Sequence, residues 1–90
     1  MGGTVASVAE VKAAIDAAMA YVREGQEAVR AANDKLGEAQ RSLAAAVDGS
    51  AHESVAAAQS ALAQATTELD DCMTATLGAM EQAQTYAAAL

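Results

Sequence analysis

The chain has 90 residues, a mass of 9.0 kDa and a formal charge of −7, from 12 acids against 5 bases. That length holds one small domain, and five bases are too few to neutralise the phosphates on which nucleic-acid affinity rests. A single cysteine excludes a disulfide framework and a Cys-rich zinc site.

Val, Ile, Leu and Phe total only 14 residues, a level that with high net charge usually marks disorder. The 27 alanines and the absence of proline reverse that reading, because alanine has the best intrinsic helix propensity. The expected fold is all-α: one domain over residues 1–90, an antiparallel two-helix hairpin that pairs into a four-helix bundle.

Residues 1–6 are expected as a flexible start. Ser7 followed by Glu10 has the spacing of a capping box and opens a first helix over about residues 8–47. Within it Val8, Ile15, Val22, Val29, Leu36 and Leu43 recur every seven residues. Three positions after each come Val11, Ala18, Gly25, Ala32, Ala39 and Ala46. Read as a and d of a heptad, the two sets make one helix–helix seam. Gly25, at d, would let the helices approach closely.

Residues 48–51 form the expected turn. Asp48, Gly49 and Ser50 supply it, Gly49 because glycine takes positive φ without steric cost. Ser50 and Glu53 repeat the capping-box spacing, so a second helix is expected over about residues 51–86. Such a short turn makes the two helices antiparallel; one helix running through Gly49 is the alternative.

The second helix continues the seam with Val55, Leu62 and Leu69 at a, and with Ala58, Ala65 and Cys72 at d. Cys72 is expected as a small buried apolar residue. Towards the end the stripe is expected to drift onto Met73, Leu77 and Met80. Met19, Tyr21, Met73, Leu77 and Met80 fall off the main seam and, with Tyr86 at d in the last turn, are the candidates for contact with a partner. One is expected to be needed, because a seam of Val and Leu facing Ala buries little area and ordering the chain costs about as much as such a core returns.

All five bases, Lys12, Arg23, Arg30, Lys35 and Arg41, precede residue 42. Arg23–Glu27, Arg30–Asp34 and Glu38–Arg41 have the spacing of helical ion pairs. From Ser42 onward there are acids and no Lys or Arg, which makes a solvated acidic face or a surface for a basic partner.

No catalytic, metal-binding or cofactor-binding constellation is expected. His52 is the only histidine and lies far from Cys72, with no Glu-x-x-His pair for a bundle metal site. Glu68, Asp70 and Asp71 point to different sides of a helix. The longest uncharged run, residues 54–67, is too short and polar to span a membrane. The N-terminus lacks the basic and apolar regions of a signal peptide.

A hairpin of about this length without a signal peptide resembles the Trp-x-Gly helical-hairpin proteins of type VII secretion. Here Asp48-Gly49-Ser50 stands at the turn without Trp, and Tyr86 is followed by Ala87, Ala88, Ala89 and Leu90 rather than by an acid. Ser7-Val8-Ala9-Glu10, Gly49-Ser50-Ala51-His52 and Tyr86-Ala87-Ala88 also resemble the helical segments that precede toxin domains in actinobacterial polymorphic toxins. These resemblances imply a non-enzymatic trafficking or pairing module, partnered by itself (a homo-oligomer) or by another hairpin or toxin protein. It would be cytoplasmic, or secreted without a cleavable signal. A cytoplasmic coiled-coil scaffold is the other expectation.

Overall fold

The computed structural model describes residues 7–48 and 52–90. Two helices make up almost all of them: α1, Val8–Ala46, and α2, Glu53–Ala89. They pack side by side into a rod with principal extents of 73 × 23 × 15 Å. Cross-helix hydrogen bonds join Gln26 to Thr76, Asn33 to Asp70 and Gln59 to the carbonyl of Gln40. As the α1 partner moves toward the turn the α2 partner moves back, so the hairpin is antiparallel.

The first helix begins as its capping pattern predicts. Ser7 has extended backbone, and its Oγ accepts from the Glu10 amide at 3.1 Å. Glu10 in the first turn adds a favourable charge at the positive end of the helix dipole. Val47 ends α1, donating its amide to the Leu43 carbonyl at 3.2 Å. Asp48 follows in a turn, while Gly49 and Ser50 lie outside the described residues.

The start of α2 departs from the expected one. Its N-cap is His52, whose Nδ1 accepts from the Ser54 amide at 3.1 Å, and Glu53 is the first helical residue. The far end runs three residues past Tyr86 to Ala89, since Ala87, Ala88 and Ala89 are strong helix formers and nothing there breaks the helix.

The seam differs from the expected one in its second column. The seven-residue column is where it was read: Ile15, Val22, Val29, Leu36 and Leu43 on α1, and Val55, Leu62 and Leu69 on α2, are all half-buried between the helices. Its companion falls four positions on, not three. On α1 this is Met19, Gln26, Asn33, Gln40 and Val47, and on α2 Gln59, Thr66, Met73, Met80 and Ala87. An average repeat of 3.5 is met by steps of 3 then 4 or of 4 then 3. The longer side chains reach across and take the contact from the alanines.

Ala18, Gly25 and Cys72 are therefore exposed rather than in the seam, as is Val8 at the open end. A Cβ built on Gly25 would meet nothing within 4 Å, so no close helix approach depends on that glycine. The stripe does not drift in α2 either: Thr76 and Ala83 hold the seven-residue column to the end. Replacing Val22 and Leu69 together by Asp puts an unpaired carboxylate into each half of the seam. Circular dichroism of this double variant is expected to lose the helical signal; a helical, cooperatively melting protein would contradict the register.

Candidate interaction surface

Across the rod, polarity changes from one side to the other. In an antiparallel helix pair, positions flanking the seam on one side of α1 meet the matching positions of α2. The four-on column leans toward one flank and the seven-residue column toward the other. On the first flank the column is largely polar. Gln26 is 5% exposed and donates from Nε2 to Thr76 Oγ1 at 3.1 Å and to Met80 Sδ at 3.4 Å. The Thr76 hydroxyl in turn donates to the Met73 carbonyl at 2.9 Å. Seven residues on, Asn33 Nδ2 donates to Asp70 Oδ1 at 2.9 Å, and seven further, the Gln40 carbonyl accepts from Gln59 Nε2 at 3.0 Å.

These bonds tie three successive heptads of the seam to specific partners. A slip of one heptad would leave Gln26 and Asn33 facing apolar side chains, so the polar column sets the register more than it adds stability. It is incompletely satisfied, because Asn33 Oδ1 is buried without a partner.

On the second flank lies the stripe that sits three positions after each Val or Leu. It comprises Val11, Ala18, Gly25, Ala32, Ala39 and Ala46 of α1 with Ala58, Ala65, Cys72, Ala79 and Tyr86 of α2. Val11 and Ala65 are half-buried and the others exposed. Beside its two seam columns each helix thus carries a third, made mostly of small or apolar residues, which together give the width used by helices that face the core of a bundle. The hairpin encloses only two of them.

Charge follows the same division. Of the 17 charged residues, only Lys35 and Glu68 lie on the uncovered broad face formed by this stripe and the positions next outward. The opposite flank and the outer sides of the helices carry the rest, apart from Lys12 near the open end. The three expected ion pairs are not formed. Among the described residues Lys35 and Glu38, at 3.4 Å, make the one ion pair, and both are exposed. Exposed pairs return too little to hold two long side chains in one geometry.

The six partner-facing candidates divide. Met19, at 7% exposure, is the most buried apolar residue in the hairpin, and Met73 and Met80 sit half-buried in the seam. Their flexible thioethers fill the space opposite short side chains. Tyr21, Leu77 and Tyr86 are exposed, at 74%, 54% and 57%. Tyr86 lies on the stripe and Tyr21 next outward on the same face, whereas Leu77 is on the charged flank.

Among the described residues no three His, Cys, Asp or Glu side chains converge to hold a metal ion, and no helix is long and apolar enough to cross a membrane. A shallow open depression lies outside α2 among Gly78, Glu81, Gln82 and Thr85, without walls to enclose a ligand. Comparison with family models, curated proteins and solved structures finds no match.

Asn33→Leu removes the orphaned acceptor and adds apolar volume to the seam. It is expected to stabilise the fold by about 1 kcal/mol in chemical denaturation. A loss of that size would mean that the Asn33–Asp70 bond contributes more than the buried carbonyl oxygen costs.

Proposed function

We propose that the chain is a non-enzymatic protein–protein interaction module, a helical hairpin that completes its core by pairing with another hairpin. The other hairpin is a second copy or a different chain, and the setting that the resemblance implies is type VII-like export or association with a toxin.

The observation that supports this reading is the surface left in water. The chain exposes 6441 Å², whereas a compact protein of 9.0 kDa exposes about 4,900 Å². Among the described residues only Met19 and Gln26 are buried. The Val and Leu side chains that should form the core are half-exposed along one face. Apolar area contributes about 25 cal/mol per Å² when removed from water, and a second hairpin supplies a surface of matching length. The packing of four helices is the familiar way to enclose a third column on each helix.

The test is the mass of the purified chain by light scattering across a concentration series, with circular dichroism on the same samples. Helical protein at twice the chain mass or more supports pairing with itself. A largely unfolded monomer that becomes helical on mixing with a second hairpin protein supports a different partner. A fully helical monomer at every concentration would overturn the reading.

A further inference from the structure

We propose that the net-neutral broad face binds a second copy of this chain about a two-fold axis parallel to the rod, so that Lys35 of each copy lies over Glu68 of the other. The proposal rests on the pairing reading above and names its partner and its face.

Charge is the first support. The broad face carries one Lys and one Glu and is neutral, while the net charge of −7 is held entirely elsewhere. Two copies that meet through this face bring no net charge together. By position the opposite flank holds seven acids and three arginines, so meeting through it would bury many charged side chains of both signs and bring excess negative charge together.

The two charges on the face are also complementary. Asn33 bonds Asp70 at 2.9 Å, which places those residues in one layer of the rod. Two residues further along each chain direction, Lys35 and Glu68 again share a layer because the helices are antiparallel. Rotation about an axis parallel to the rod keeps every layer at its own height and exchanges the two helices. Lys35 then faces the other copy's Glu68, twice by symmetry, and each α1 gains an antiparallel α2 as neighbour, with opposed helix dipoles. Rotation about an axis across the rod would leave both charges without partners.

What lies under the face is the second support. The small side chains there do not cover the column beneath them, and Val22, Val29, Leu36, Leu43, Leu62 and Leu69 all remain half-buried. Alanine and glycine above them let a second hairpin approach near the short end of the 8–10 Å range for packed helices.

Area is the third. Helices of 39 and 37 residues are about 55 Å long at 1.5 Å per residue. Two side by side are about 20 Å across. Such a face offers about 1,000 Å², more than the roughly 800 Å² per partner of a standard stable interface.

Cys72 lies near the middle of the stripe and is exposed in the single hairpin, so it reports on whether the face is covered. The experiment measures light-scattering mass and the rate at which Cys72 reacts with a thiol-specific disulfide reagent in native buffer. In the wild type we expect twice the chain mass, with Cys72 reacting at least tenfold more slowly than in denaturant. Ala32→Glu, on the same face, is expected to lower the mass to that of one chain and restore fast reaction. Ala45→Glu, on the outer side of α1, is expected to change neither.

Because Ala32→Glu can also lose its fold on separating, the charge swap gives an independent reading. Lys35→Glu and Glu68→Lys are each expected to weaken association about tenfold, and the double swap to return it to within about threefold of wild type. Assembly with freely reactive Cys72 would overturn this face while leaving the pairing reading intact. So would a double swap as weak as the single variants. A chain that becomes helical only with a foreign hairpin would overturn the second copy, again leaving pairing intact. A helical monomer at all concentrations would overturn both.

Discussion

The rest of the structure depends on how few large apolar side chains the chain has and how regularly they are spaced. One Val, Ile or Leu every seven residues is enough to align two helices. It is too little to give either helix a closed core. Alanine compensates in part, because its intrinsic propensity keeps α1 and α2 helical over 39 and 37 residues with modest tertiary support. The outcome is a long rod in which local propensity carries the helices, a thin seam carries their alignment, and one broad apolar face stays uncovered.

The seam divides its two tasks between its two columns. The aliphatic column leans toward the net-neutral face. The four-on column places Gln26, Asn33 and Gln40 in successive heptads on the charged side, where their side-chain or backbone groups meet Thr76, Asp70 and Gln59. Bonds of this kind discriminate between registers, which a seam of Val facing Ala does poorly because one alanine resembles the next. They also explain why the covered parts of the rod, Met19 and Gln26 above all, lie away from the face where the Val and Leu side chains are open. A surface that is apolar on one side and charged on the other is directional, and that direction is the basis of the proposed pairing.

The sequence made the hairpin legible because the branched aliphatics keep a strict period and Ser7 has the residue three ahead that a capped helix start needs. It did not make the companion column legible. Positions three and four after each aliphatic compete for the seam, and in this chain the three-on set is nearly all Ala and Gly while the four-on set includes Gln and Asn. Polarity alone favours the first, but side-chain reach decides for the second. That error moved Ala18, Gly25 and Cys72 from the surface into the seam, and Met19, Met73 and Met80 the other way. The three-on set nevertheless has a place, as the floor of the uncovered face. The spacing of Ser50 and Glu53 is the more familiar cap pattern, but His52 takes the cap, because an imidazole Nδ1 can accept from the amide two residues on as a hydroxyl does.

The most direct test of this account is the thermal melting midpoint, followed by circular dichroism over a hundredfold range of protein concentration. If the seam of one hairpin is insufficient and folding is completed by a partner copy, the midpoint rises with concentration, as mass action requires for a fold coupled to association. A sharp transition at a midpoint independent of concentration, from a fully helical chain, would show that the two-helix seam is sufficient by itself.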